Sequence, residues 1–179
     1  RSSGASANVA VFDGTGVCTV VNDDYPFVWS NGGGDNLAST VANWAYNGGA
    51  APRSPGPGDM VQLDKTSADP LTWDVSTNVL TWLQATGYTG TVTFQTKYPG
   101  EGSFTTSPGT GNATLKAGTW THVNGNYDGS APWVPEYRLR VSVGGDLTVE
   151  SNALISAKGR GYRNQHKGPG GAAGEDGAT

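Results

Sequence analysis

Apolar and polar positions alternate over short stretches through the second half of the chain. The stretches are TGTVTF (89–94), GSFTT (102–106), NATLKAGTWTHV (112–123) and RLRVSVGGDLTVESNALISAKGRG (138–161), with Gly-Gly or Asn-Gly turns among them. Period-two alternation punctuated by turn residues is the pattern of half-buried β-strands. Three further strands are expected over 60–64, 71–75 and 79–83. Two more are expected near the N-terminus, ANVAVF (7–12) and GVCTVV (16–21), joined by an Asp13-Gly14 turn. Between these groups lie an aromatic block, Tyr25 to Trp29, a segment over 37–44 that suits one helical turn, and a Gly/Pro loop over 47–59. The pattern predicts an all-β protein with very little helix.

Composition agrees with that expectation. Glycine supplies 28 of 179 residues with no three-residue period, which excludes a collagen-like chain. Charged residues are 15%, too few for a charge-driven disordered chain. Hydrophobic residues are only 35%, but six Trp and seven Tyr bring large apolar areas. The apolar runs are far shorter than the ~20 residues of a membrane-spanning helix, so no membrane insertion is expected. The single cysteine, Cys18, has no partner for an internal disulfide and is expected in a strand. The start RSSGASAN suits a mature N-terminus after cleavage, and the Gly-rich end GPGGAAGEDGAT suits the beginning of a longer chain.

A family resemblance covers roughly residues 28–179. The residues that carry it are Trp29-Ser30-Asn31-Gly32-Gly33-Gly34-Asp35-Asn36, then Asn43-Trp44, then Pro55-Gly56-Pro57-Gly58-Asp59-Met60-Val61-Gln62-Leu63-Asp64. Together with Gly87 to Thr93, Gly144 to Val149 and Ile155 to Tyr162, they resemble large secreted bacterial cell-surface proteins. Those proteins, autotransporter- or adhesin-like, have a Trp/Gly-rich N-terminal cap followed by a parallel β-helix. The resemblance implies a right-handed parallel β-helix (β-solenoid) with an N-terminal cap, and an extracellular or cell-surface location. It divides residues 28–179 into a Trp/Pro/Gly-rich cap (28–79) and solenoid rungs (80–179), while the apolar, nearly uncharged N-terminal β segment (1–27) before them could pair with a neighbour. The residues are compatible with that architecture: each short strand buries one face, so strands are stable only when stacked. Leu37-Ala38 departs from the family pattern, where a Trp is often found.

The search for chemistry yields little. The carboxylate pairs Asp59/Asp64 and Asp69/Asp74 fall on opposite faces of a strand, which disfavours a glycosidase dyad. Neither His122 nor His166 stands in a nucleophile-activating context, and no phosphate loop is present. The chain is therefore expected not to be an enzyme and to need no cofactor. Loop oxygens at Asp23, Asp24 and Asp35 are candidate Ca²⁺ ligands, without a complete calcium motif. Candidates for subunit contact or glycan binding are Val9 and Val11 in the uncharged N-terminal segment, Trp133 in a Pro-flanked loop, and Arg160, Arg163 and Lys167 in the basic end. That basic end reads mainly as a solvated turn; nucleic acid is not expected as a partner. Residues 1–137 carry five Lys/Arg against eleven Asp/Glu, and residues 138–179 carry six against four. Opposite charge at the two ends favours head-to-tail contact between copies. The resulting expectation is a self-associating structural protein, a filament or sheath subunit. The alternatives are an adhesin or carbohydrate-binding module contacting a glycan or cell-surface polysaccharide and, behind it, a polysaccharide-degrading β-helix enzyme.

Overall fold

The computed structural model describes residues 24–95, 104–123 and 137–160. Its strands in chain order are β1 (Phe27–Trp29), β2 (Trp44–Tyr46), β3 (Gly49–Ala50), β4 (Met60–Leu63), β5 (Leu71–Trp73), β6 (Asn78–Val79), β7 (Thr81–Gln84), β8 (Thr91–Phe94), β9 (Phe104–Thr106), β10 (Ala113–His122), β11 (Val141–Ser142) and β12 (Leu147–Ile155). A single 3-10 turn spans Val41–Asn43, and among the described residues there is no α-helix. The protein is all-β. The expected strands at 7–12 and 16–21, and Cys18 with them, lie outside the described residues.

The strands form mixed sheets. β1, β2 and β3 pair antiparallel, while β1, β4, β7, β10 and β12 pair parallel in one curled sheet. The parallel register aligns Phe27, Val61, Trp82, Ala113 and Leu147. A second parallel row aligns Leu71, Val92, Trp120 and Ile155 along β5, β8, β10 and β12. A third row forms a second, separate sheet that aligns β6, β9 and β11 through Asn78, Thr105 and Ser142. The chain thus visits the rows in a fixed order, β4-β5-β6 and then β7-β8-β9. β10 covers the first two rows in one continuous strand, pairing β7 by its first residues and β8 by its last. Parallel pairing begins before residue 80, because β4 and β5 already pair with the strands of the next pass.

Paired residues in register point to the same face, so each row carries one kind of side chain. The inward rows are apolar. Trp29, Trp44, Trp73, Trp82, Trp120, Phe94 and Phe104 are buried, with neighbouring ring centroids 5.1 to 6.5 Å apart and mostly edge-to-face. Such contacts contribute about 0.5–1.5 kcal/mol each beyond area burial. A low hydrophobic fraction can close this core because few, very large rings fill it.

Two expectations are corrected. The stretch 79–83 is not one strand: Val79 ends β6, Leu80 turns, and Thr81 begins β7 in another sheet. Alternation is continuous there, but the backbone breaks at Leu80, whose N–H donates to Asp59 O at 2.7 Å. The loop over 47–59 begins instead with a hairpin, β2 to β3, turning on Asn47 (φ 48°) and Gly48 (φ 73°). Two consecutive positive φ values are what a tight type I′ turn needs, and Asn-Gly supplies them.

Candidate functional site

Two regions of the molecule carry groups that could act. At the N-terminal end, the Gly-rich loop after β1 closes around Asp35 and Asn43. The Asp35 carboxylate accepts hydrogen bonds from the Leu37 N–H at 3.0 Å, the Thr40 hydroxyl at 2.7 Å and the Asn43 amide at 2.5 Å. These donors, Thr40 foremost, hold its pKa below the usual carboxylate value. Asn43 is fully buried; its amide oxygen accepts from the Gly33 N–H at 2.8 Å, and its amide also donates to Leu37 O at 2.9 Å. The candidate Ca²⁺ ligand Asp35 therefore faces donors from its own loop. Asp24 is exposed, and Asp23 lies outside the described residues. Among the described residues no three His, Cys, Asp or Glu side chains converge on one point.

The same loop covers the first parallel pass. β1 lies over β4, and Leu37 bridges to Thr72 of β5. Trp44 plugs the end of the core, its indole N–H donating to Ala38 O at 2.8 Å, and Trp29 reaches Asp69 O at 3.2 Å. Arg53 pairs with Asp59, one contact at 2.8 Å, and stacks its guanidinium 5.0 Å from the Phe27 ring centre.

The second region is the far end. β12 follows β10 in parallel and, among the described strands, pairs with no other. Leu147, Val149 and Ile155 align with Ala113, Leu115 and Trp120, all buried, and so point the same way. Yet they are 45%, 43% and 36% exposed. Leu154, opposite Thr119 on the outer side, is 55% exposed. Midway, Glu150 and Ser151 share the position opposite Lys116, a bulge at the point where β10 passes from the first row to the second.

Beside that bulge runs a cleft of about 580 Å³ whose lining includes Thr86, Thr89, Gly118, Thr119, Ser151 and Asn152. Hydroxyls and an amide face it. Beneath it Gln84 is fully buried, its amide donating to Ala117 O and its oxygen accepting from the Trp120 indole at 3.0 Å. Gly118 sits at φ 79°, and a Cβ there would lie 2.5 Å from the Gln84 amide nitrogen. Comparison with family models, with curated proteins and with solved structures returns no match for this chain.

The remaining candidates are scattered. Arg160 is half-buried after β12, close enough to His122 to oppose its protonation. Burial is the larger cause that keeps the His122 pKa below its ordinary value. Val9, Val11, Trp133, Arg163 and Lys167 lie outside the described residues. Sequence reasoning missed Asn43 and Gln84, the two buried amides that organise these regions. Asn43 was visible as the residue before Trp44 in the Gly-rich motif. Gln84 had no signal beyond its place in an alternating strand.

Proposed function

We propose that this chain is a structural protein of the cell surface, built as a right-handed parallel β-helix and joined to further copies through its far end. The order in which the chain visits three parallel rows supports the β-helix. Right-handed crossover is the general rule for parallel connections. The covered N-terminal end and the Trp/Gly motif fit the secreted family that the sequence resembles. The observation that carries the assembly reading is the exposed inward row of β12. An unpaired strand edge beside an apolar row offers both backbone hydrogen bonds and area to another strand. A large exposed apolar patch on a folded protein commonly marks an interaction surface.

The test is sedimentation of the 179-residue chain over a wide concentration range, beside an Ile155→Lys variant. Association that rises with concentration and is lost in the variant, with a far-UV spectrum that shows the variant still folded, is the expected result. A chain that stays monomeric throughout defeats the assembly reading.

A second reading has one observation in its favour. The hydroxyl-lined cleft beside Gly118 has no charged residue in its lining, which suits a neutral glycan better than an acidic one. All five described Trp are buried, so a sugar would find no stacking indole among the described residues. Retention on a neutral glycan array, abolished by Asn152→Leu, would support this adhesin reading over the first.

A further inference from the structure

The glycan reading of the cleft beside Gly118, on which this inference rests, extends to a ligand class and a direction. We infer that the cleft is one end of a binding track for a single neutral, extended, β-1,4-linked polysaccharide chain. The track runs from Ser151 and Asn152 past Thr119 and on along Thr91 and Thr93.

A change in corner length builds the cleft. From Gln84 to Thr91 the chain takes six residues, 85–90, to round the corner between rows. Their partners on β10, Leu115 and Thr119, are joined by only three, 116–118. The longer turn stands out beyond the shorter one and walls the cleft through Thr86 and Thr89. That wall is pinned. Tyr88 is fully buried within it, its N–H donating to Ala85 O at 3.0 Å and its hydroxyl to Asp69 O at 3.1 Å. Gly90 sits so close to the preceding pass that a Cβ would lie 2.5 Å from Ala68 O. The cleft volume, about 580 Å³, falls within the ~300–1,000 Å³ of ligand sites, which are usually pre-formed.

The lining selects the ligand. Thr86, Thr89, Thr119, Ser151 and Asn152 offer groups that both donate and accept hydrogen bonds. Among the described residues, none of these side chains has a hydrogen-bond partner. No charged residue lines the cleft, and Lys116 and Glu150, which adjoin it in sequence, face each other at 3.9 Å. An ion would lose water there and gain no countercharge. Sugar hydroxyls are neutral and also donate and accept, so they match.

Register gives the direction. Thr91 pairs with Thr119, so both face outward at the mouth of the cleft. Thr93 follows on the same face, about 6.6 Å further along β8, with Thr72 of β5 beside it. The hydroxyls of Thr72, Thr91 and Thr93 likewise have no partner among the described residues. Thr121, on the other side of Thr93, is only 6% exposed and bounds the track there. Hydroxyls set along a strand form a straight row, which suits an extended ribbon such as a β-1,4-linked chain better than a coiled one. The five described Trp are all buried, so no indole among them stacks on a sugar. Affinity must then come from the number of linked units engaged.

Calorimetric titration of the 179-residue chain with β-1,4-linked gluco- and manno-oligosaccharides tests the track. In at least one of the two series the hexasaccharide should bind about tenfold or more tighter than the disaccharide. Thr93→Val removes one outward hydroxyl and should abolish most of that gain while leaving disaccharide binding as it was. Thr93→Ser, which keeps the hydroxyl, should keep the gain. Asn152→Leu should remove binding of both lengths. Far-UV spectra establish that each variant is folded, and Thr91→Val replaces Thr93→Val if the latter is not. Equal affinity for the two lengths, or a gain that survives loss of the hydroxyl, overturns the track and leaves the glycan reading of the cleft standing. So does retention on a neutral glycan array without binding of either series at millimolar concentration. Absence of both overturns the glycan reading as well.

Discussion

The two ends of the molecule solve the same problem differently. Each bounds the described part of a stack of parallel strands, and each carries an apolar row. At the N-terminal end the row is covered: Trp29 and Trp44 are buried over Trp73, and the Asp35–Asn43 loop holds them there. At the far end Leu147, Val149 and Ile155 occupy the equivalent inward positions and remain more than a third exposed. What separates them is not the strand sequence, since both carry alternating apolar residues. It is the presence of a polar loop whose buried amide ties backbone to side chain. The N-terminal end is covered by hydrogen-bonded loop geometry plus two large rings, not by a more apolar strand.

The largest effect should come from breaking the covered end. Trp44→Ala removes a buried ring that touches Trp29 and Trp73 and should cost ~3–5 kcal/mol in denaturant unfolding. Ile155→Ala removes a side chain that is 36% exposed and should cost well under half as much. Equal costs at the two positions would mean that the far end is packed as tightly as the near one, and the comparison would collapse.

A middle-sized effect belongs to the corner where β12 joins the body. Gly118 has φ 79°, and a Cβ would approach Gly90 O at 2.7 Å and the Gln84 amide at 2.5 Å. Gly118→Ala should therefore cost about 1–3 kcal/mol, the range for a non-glycine residue forced into a strained backbone region. Hydrogen exchange should show the loss concentrated in β10 and β12, with β1 and β4 protected as before. A uniform loss would mean that the corner and the covered end unfold as one unit.

How much of this was legible in the sequence differs between the same two regions. The strands announced themselves through alternation: the expected stretches 60–64, 71–75, 89–94 and 112–123 contain β4, β5, β8 and β10. Alternation reports that a strand has a buried face, but not where the chain turns from one sheet to the next. Hence 79–83 looked like one strand although Val79 and Thr81 serve different rows. The hairpin at Asn47-Gly48 was legible by its dipeptide and was hidden only by the Gly/Pro-rich residues that follow. Burial of Trp44 and Trp82 could be expected from their apolar neighbours. The exposure of the β12 row could not, because its sequence is that of any other buried strand. Neither could the role of Gln84, since a lone amide in an alternating strand looks the same whether it faces solvent or an indole.

Acid should separate the two ends by pH. His122, in the last residue of β10, has its pKa lowered from 6.5 by burial, with Arg160 adding to the effect. The unfolded chain then holds the proton more tightly than the folded one. Stability associated with His122 is full above the unfolded value near 6.5 and falls as pH drops from there through the folded value. Asp35 is lowered from 3.8 by its loop donors, so its contribution is full above 3.8 and is lost only as pH falls through the still lower folded value. The β10–β12 region should weaken first on acidification and the covered end later. Melting temperature against pH, read beside His122→Gln, tests this: the variant should lose the dependence near pH 6 and keep the one below pH 4. A wild-type profile flat from neutral pH to pH 4 would remove the distinction.

The smallest effect is also the one that bears most directly on whether the far end is open. Leu154 and Val41 are exposed apolar residues at opposite ends, 55% and 41% respectively. Neither fills the core, so replacing either by Thr should change the unfolding free energy by no more than about 0.5 kcal/mol, the usual range for surface positions. Their effects on association should differ. Val41 stands in the 3-10 turn, whereas Leu154 adjoins Ile155 on β12, which among the described strands pairs only with β10. Leu154→Thr should weaken concentration-dependent association measured by sedimentation, and Val41→Thr should leave it unchanged. If Leu154→Thr instead costs several kcal/mol in unfolding with no change in association, that side chain is covered by its own chain. The far end would then be closed like the near one, by a segment outside the described residues.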